Sequence, residues 1–139
     1  MSQNWVEDIE KMQDKFGTLD WVFDNKTDTE KLKKFLKFRI DFLQEELDET
    51  KTAYETMDGE EIVDGLVDLC VVAIGTLDAF GVDPYKAWDA VLEANMAKEP
   101  GVKEGRPNPL GLPDLMKPEG WTAPSHEGNH GILPKLKGE

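Results

Sequence analysis

The sequence predicts an all-α fold, an antiparallel bundle of about four helices followed by an extended segment rich in proline and glycine. Apolar residues recur every three or four positions over roughly the first hundred residues, which is typical of amphipathic helices. Turn and capping residues interrupt this periodic region, and seven of the eight prolines lie at or beyond residue 100. We therefore expect a helical domain over residues 1–99 and an extended tail over residues 100–139.

The first two helices follow from apolar spacing and capping residues. We expect one helix over residues 3–16 and turns over residues 17–27. Thr27 and Glu30 have the spacing of a capping box, in which each side chain accepts a hydrogen bond from the other residue's backbone N–H. The second helix therefore begins near Thr27 and continues to about Met57.

The next two helices are separated by a glycine turn. A third helix is expected over residues 60–80, where apolar residues cover most of the circumference and predict a central position in the bundle. Cys70 lies in this apolar run, so we expect a buried, unreactive thiol. Gly81 is placed to end the helix. The fourth helix begins at Asp83-Pro84, a capping residue followed by a proline at the first helical position, and ends near Lys98.

Composition narrows the function classes. Charged residues make up 32% of the chain and the net charge is −13, so binding to nucleic acid or to an anionic membrane surface is disfavoured. The hydrophobic fraction of 39% is too high and too periodic for a disordered acidic segment. We find no secretory signal pattern and no apolar stretch that could cross a bilayer. We expect a cytoplasmic protein with no nucleic-acid or membrane partner.

The strongest functional feature is a concentration of acidic side chains. Between Asp41 and Asp68 there are eleven carboxylates and a single cation. A subset recurs at helical spacing on the second and third helices: Glu45, Glu46, Glu49, Glu61, Asp64 and Asp68. These positions extend the apolar stripes of both helices instead of lying opposite them. Because a short turn makes the two helices antiparallel, both acidic ends meet at the same end of the bundle.

Clustered carboxylates beside a core repel one another and lose solvation. A bound cation removes this cost, and oxygen ligands without nearby histidine or cysteine favour Mg²⁺, with Mn²⁺ as the alternative metal. A solvated acidic face is the other interpretation of the same residues, and composition and spacing leave it open.

Three motifs in this order resemble the MazG-type, all-α nucleoside triphosphate pyrophosphohydrolases. The first is Glu45-Glu46-Leu47-Asp48-Glu49, preceded by Arg39-Ile40-Asp41-Phe42-Leu43. The second matches the family's acidic pair in either of two registers, Glu61-Ile62-Val63-Asp64 or Asp64-Gly65-Leu66-Val67-Asp68. The third is Asn95-Met96-Ala97-Lys98, which resembles the end of the family's last bundle helix. The resemblance covers about residues 30–98.

The resemblance implies hydrolysis of a nucleoside triphosphate to the monophosphate and pyrophosphate by a homodimer or homotetramer. Glu45 or Glu46 would orient or deprotonate the attacking water. The carboxylates expected to hold the metal are Glu46, Glu49, Glu61, Asp64 and Asp68. The residues expected to contact the substrate are Asn95, Lys98 and Arg106. Two alternatives remain: a phosphoribosyl-ATP pyrophosphohydrolase-like enzyme, and a noncatalytic helical module that binds a partner through its acidic face or its tail.

Overall fold

The structure, a computed structural model, describes residues 3–137 of the chain and confirms the all-α prediction. Its helices are α1 (Trp5–Lys15), α2 (Thr18–Asp24), α3 (Thr29–Glu55), α4 (Gly59–Ala79) and α5 (Pro84–Met96). Two three-residue strands, β1 (Glu99–Gly101) and β2 (Asp114–Met116), and a 3₁₀ helix at Leu133–Lys137 follow.

The described residues form two compact units. Residues 3–84 and 130–137 make up the first unit, which contains α1 to α4 and the 3₁₀ helix. Residues 85–129 make up the second unit, in which α5 is followed by the antiparallel pair of β1 and β2. No strand was predicted from the sequence in this region. The predicted domain boundary near residue 100 stays a prediction.

The segment between the first two predicted helices is itself helical. Gly17 adopts a positive φ of 77° and α2 begins immediately after it, within the stretch expected to contain only turns. The capping residue of α3 is Asp28 and not Thr27, so that prediction was wrong by one position. The Asp28 carboxylate accepts a hydrogen bond of 3.1 Å from the backbone N–H of Lys31, where it is also favoured by the helix dipole.

The predicted end of α4 near Gly81 and the predicted start of α5 are confirmed, and the structure adds a capping residue at the start of α4. Asp58 accepts a hydrogen bond of 3.2 Å from the backbone N–H of Glu61 at the beginning of α4. At the other end, Gly81 has a φ of 76°, the left-handed conformation that glycine adopts without strain. Helix α5 then begins at Pro84, as expected.

Helix α4 contacts α1, α2 and α3, in line with its predicted central position, but one of its apolar faces is exposed within a single chain. Val63 and Leu66 are 64% and 53% exposed, and Val67 and Cys70 on the same face are exposed as well. The predicted burial of the thiol is therefore wrong. The reason is that α4 has two opposite apolar faces, and one face alone packs against α3.

The core of the first unit joins residues that are far apart in the sequence. Its buried members are Val22, Leu32, Ala79, Phe80 and Leu136. Half-buried Ile132 and Leu133 pack against them, and the backbone N–H of Ile132 donates a 2.9 Å hydrogen bond to the Phe80 carbonyl. Ile132, Leu133 and Leu136 belong to the segment that was predicted to be an extended tail. Its residues 132–136 complete the core of the first unit.

Within residues 3–137, no single helix is long and apolar enough to cross a membrane, and α4 and α5 meet such a test only when they are taken together.

Candidate functional site

Helices α3 and α4 approach each other closely at Thr50 and Gly65. A Cβ atom at Gly65 would collide with the Thr50 hydroxyl and would lie 3.3 Å from the Thr50 Cβ. The Thr50 hydroxyl is fixed in place because it donates a 2.8 Å hydrogen bond to the carbonyl of Glu46, one turn earlier. The two helix backbones are therefore separated by a single small side chain at this point.

Carboxylates from both helices converge beside this contact. Burial raises the pKa of half-buried Glu46, and the charges of Asp68, Glu49, Glu45 and Asp64 raise it further. Burial also raises the pKa of Asp68, as do the charge of Asp64 and the hydrogen bond that protonated Asp68 donates to Asp64. Since such charge effects act over a few ångströms, these side chains share one neighbourhood. The carboxylate group, as we call Glu46, Glu49, Asp64 and Asp68, is thus formed by both helices.

The remaining predicted carboxylates line an adjoining cavity of about 680 Å³. Its lining residues are Asp41, Gln44, Glu45, Asp48, Glu49, Thr52, Ala53, Thr56, Asp58 and Glu61. Glu49 belongs to both the cavity and the carboxylate group. Of the two registers proposed for the second motif, Asp64 and Asp68 are the pair whose charges act on Glu46, whereas Glu61 lies in the cavity with Glu45.

Between residues 3 and 137, no group of three or more His, Cys, Asp or Glu side chains is positioned to hold a metal ion. The donor chemistry nevertheless fits a divalent cation. Four carboxylates from two helices supply hard oxygen ligands, and the raised pKa values of Glu46 and Asp68 reflect the repulsion and lost solvation that a cation would relieve. The predicted metal site stays a prediction.

Arg39 makes its hydrogen bonds with α1 and α4 and not with the glutamates that follow it on α3. Its guanidinium donates hydrogen bonds to the Thr76 hydroxyl (3.0 Å), the Val72 carbonyl (3.3 Å) and the Gln13 side-chain oxygen (3.4 Å). Burial lowers the pKa of Arg39. Gln13, only 3% exposed, in turn donates a 2.9 Å hydrogen bond to Asp78. This polar network fastens α1 to α3 and α4.

Gly75 provides the space for that network. A Cβ atom at this position would lie 2.5 Å from both the Arg39 guanidinium nitrogen and the Gln13 side-chain oxygen. Gly75 and Gly65 are the two buried glycines of α4, and each faces a polar group of another helix. The sequence offered one indication of these contacts, since a glycine inside a helical pattern often marks a close approach.

The predicted substrate-contacting residues lie in the second unit. Asn95 is exposed on α5, and the half-buried Lys98 has its ammonium 5.4 Å from the centre of the Trp121 ring. Arg106 pairs with Asp114, with 3.3 Å between Nη1 and Oδ1. Their action together with the carboxylate group stays a prediction.

Trp121 has structural partners that were not predicted from the sequence. Its indole N–H donates a 2.8 Å hydrogen bond to the carbonyl of buried Ala94 on α5, and the Lys117 ammonium lies 5.1 Å from the centre of the same ring. The segment after β2 is thereby attached to α5. Its aromatic residue among prolines and glycines was the available indication of such an anchor.

The chain was also compared with known proteins. A family model described as phosphoribosyl-ATP pyrophosphohydrolase matches residues 18–95. The matched segment comprises 78 of the 139 residues and includes Glu46, Glu49, Asp64 and Asp68. No curated protein matches the chain.

Proposed function

The chain belongs to the phosphoribosyl-ATP pyrophosphohydrolase family, and on this premise we propose that it is a Mg²⁺-dependent pyrophosphohydrolase that converts a nucleoside triphosphate to the monophosphate and pyrophosphate. Mn²⁺ is the alternative metal. The observation that carries the proposal is the carboxylate group, in which Glu46 of α3 lies close enough to Asp64 and Asp68 of α4 for their charges to raise its pKa. Such a group is costly in a folded protein unless it serves to bind a cation.

We assign the carboxylate group to metal binding, with Glu61 as a further candidate at its edge. Mg²⁺ bound there would neutralise charge on the phosphate oxygens and lower the pKa of an attacking water. Asp64 and Asp68 lie one turn apart on α4, and their charges raise the pKa of Glu46. Glu49 lies one turn beyond Glu46 on α3.

Glu46 or Glu45 would accept the proton of the attacking water. Because adjacent residues on a helix cannot both face one metal ion, one of these two glutamates stays outside the metal's ligands and is available to take the proton. The oxygen of the water forms a bond to phosphorus, a bridging oxygen–phosphorus bond breaks, and pyrophosphate leaves with the electron pair of that bond. One glutamate outside the metal's ligands is sufficient for this proton transfer.

The substrate's negative charge also requires cations and hydrogen-bond donors from the protein. We propose that Lys98 and Arg106 contact phosphate oxygens and that the Asn95 amide binds the sugar or base. In the structure the Lys98 ammonium lies over the Trp121 ring and Arg106 pairs with Asp114, and phosphate groups would replace or share these contacts.

Phosphoribosyl-ATP is a second candidate substrate, and the family match favours it. Hydrolysis of either substrate releases pyrophosphate from a nucleotide triphosphate chain, so the carboxylate group would serve both. They differ in the group attached to the base, which the residues beyond the phosphates would have to recognise.

We further propose that the protein is a homo-oligomer, a dimer or a tetramer. The exposed face of α4 formed by Val63, Leu66, Val67 and Cys70 presents apolar side chains at positions i, i+3, i+4 and i+7. An apolar helix face of this kind is commonly covered by another subunit. Sedimentation at micromolar concentration should give at least twice the mass of the chain.

Pyrophosphate release tests the proposal directly. A panel of ribonucleoside and deoxyribonucleoside triphosphates and phosphoribosyl-ATP is incubated with Mg²⁺, with Mn²⁺ and with a chelator. We expect release from at least one compound, dependent on metal. Glu49→Gln and Asp64→Asn should each lower turnover at least tenfold without unfolding the protein, because each removes a charged ligand. Glu10→Gln, an exposed acid on α1, is the matched control and should retain activity.

Two results would contradict the assignment. If no compound releases pyrophosphate and Mg²⁺ does not raise the melting temperature, the noncatalytic interaction module becomes the better explanation of the acidic face. If both variants retain full activity, the protein is an enzyme but the carboxylate group is not its site.

A further inference from the structure

The two helices that form the carboxylate group contribute side chains of different length. Helix α3 supplies Glu46 and Glu49, whereas α4 supplies Asp64 and Asp68, whose carboxylates lie one carbon–carbon bond, roughly 1.5 Å, closer to the backbone. For oxygens from both helices to reach one small cation, the α4 backbone must therefore approach α3 closely. Mg²⁺ binds its oxygen ligands at about 2.0–2.1 Å and tolerates little deviation.

The contact that permits this approach lies within the group itself. Gly65 follows Asp64 directly, and the Thr50 side chain that it faces follows Glu49 directly. The Thr50 hydroxyl is held by the Glu46 carbonyl at 2.8 Å, so it cannot turn away without losing a hydrogen bond. A methyl group at residue 65 would overlap the hydroxyl, and unless Thr50 gives up its hydrogen bond to Glu46 the overlap is relieved by moving the two helices apart.

We propose that Gly65 is a positioning residue of the metal site, which sets the separation of α3 and α4 at which the glutamates of one helix and the aspartates of the other bind the same divalent cation. This inference rests on the proposed function, since it concerns the binding of Mg²⁺. The pair of Gly65 and Thr50 acts as a spacer, and neither residue is itself a ligand.

The test measures Mg²⁺ affinity by calorimetry on the metal-free protein, with no nucleotide present, and the Mg²⁺-dependent rise in melting temperature. Gly65→Ala is expected to weaken Mg²⁺ binding at least tenfold while the far-ultraviolet circular dichroism is unchanged. Adding Thr50→Ala removes the overlapping hydroxyl and leaves the two Cβ atoms 3.3 Å apart, which a small shift relieves. The double variant should recover Mg²⁺ affinity to within about threefold of the unmodified protein, which a general loss of stability would not do.

Two other glycines of α4 are matched controls. Gly59→Ala adds a methyl group with no atom within 4 Å, and Gly75→Ala adds one against Arg39 and Gln13. We expect Gly59→Ala to leave both stability and Mg²⁺ affinity unchanged. Gly75→Ala should lower the melting temperature yet leave Mg²⁺ affinity within about twofold, because its contacts lie outside the carboxylate group.

A second exchange covers the case in which Gly65→Ala alone does not fold. Gly65→Ala with Thr50→Gly moves the methyl-bearing position from one helix to the other, and the nearest remaining atom, the residue 50 Cα, lies at 3.6 Å, an ordinary contact. Normal Mg²⁺ affinity is expected for this pair, and a tenfold loss would overturn the inference.

The outcomes separate this inference from the proposed function. Folded Gly65→Ala with unchanged Mg²⁺ affinity, or a folded Thr50→Ala double variant without recovery, would overturn the positioning role alone. Failure of the unmodified protein to bind Mg²⁺ would overturn the proposed metal dependence, and the positioning role with it.

Discussion

Gly131 is the position at which the returning end of the chain meets α4, and its replacement by alanine should detach that end. Gly131 has a φ of 55°, and a Cβ atom there would collide with the Phe80 carbonyl oxygen and lie 2.8 Å from the Gly81 carbonyl carbon. These are backbone atoms at the end of α4 and cannot rotate away. The collision can therefore be relieved only by moving residues 131–136 off the core.

The expected loss follows from what that movement exposes. Leu136 is 6% exposed, and fully burying a leucine contributes about 1.5–3 kcal/mol. Ile132 and Leu133 are half-buried and together contribute about as much again. We therefore expect Gly131→Ala to lower the free energy of unfolding by about 3–6 kcal/mol. Since small domains are stable by about 5–15 kcal/mol, this loss is large.

Gly128→Ala is the matched control. Gly128 also has a positive φ, 77°, but no atom lies within 4 Å of its would-be Cβ. In the control, the free energy of unfolding should fall only by the strain of alanine in the left-handed conformation, about 1–2 kcal/mol. Urea unfolding of both variants, followed by circular dichroism, measures the two free energies. Equal losses for the two variants would refute the argument, because the close contact with α4 would then contribute nothing.

Three further predictions concern the polar groups. The raised pKa values of Glu46 and Asp68 mean that the folded protein binds their protons more tightly than the unfolded chain. Their contribution to stability is present below the unfolded pKa values and is lost as the pH rises through the folded ones, so the melting temperature without metal should fall across this window. Asp68→Asn should make the melting temperature depend less steeply on pH, and an unchanged steepness would contradict this prediction. Gln13→Leu leaves the charges of Asp78 and Arg39 without their shared hydrogen-bond partner. We expect it to lower the free energy of unfolding, measured by urea titration, by about 2–3 kcal/mol. A loss below about 0.5 kcal/mol would show that the network is not stabilising. Trp121→Phe removes the hydrogen bond to the Ala94 carbonyl but retains an aromatic ring, so cleavage after Glu119 by a glutamate-specific protease should accelerate severalfold. An unchanged rate would mean that the hydrogen bond does not hold this segment.

Local features of the sequence predicted the helices well. Two local signals were enough: the apolar spacing within α1, α3 and α4, and the helix-ending or helix-starting residues Asp58, Gly81 and Pro84. Each signal involves only a few neighbouring residues, so it can be recognised without knowledge of the tertiary structure. Helix α2 was missed because its seven residues follow a glycine and lie among turn-forming residues, which gave too short a periodic pattern.

Partners across the fold were harder to predict. Arg39 precedes the acidic motif on α3, yet its hydrogen bonds go to groups of α1 and α4, whose approach depends on Gly75. The docking of Leu136 on the core depends similarly on Gly131. Long-range contacts of this kind are set by backbone separation, which residue spacing does not reveal.

The functional interpretation succeeded at a coarse level. The predicted resemblance is confirmed for the broad superfamily of MazG-like, all-α pyrophosphohydrolases, to which the phosphoribosyl-ATP pyrophosphohydrolase family belongs, whereas membership of MazG itself stays a prediction. The acidic motifs supported this result because their helical spacing restricts which side chains can converge. The metal, the nucleotide and the assembly depend on groups that a single chain does not contain.

The position of Leu136 in the core also bears on how the protein forms during synthesis. Leu32 and Leu136 pack together in the first unit although the whole second unit is encoded between them. At about 5–20 residues per second, a ribosome adds the intervening chain in roughly 5–20 s. Until Leu136 has been added, the apolar surface around Phe80 lacks the contact of this side chain. The helices of the first unit are therefore synthesised early in translation, but its core is completed only after the second unit has been synthesised.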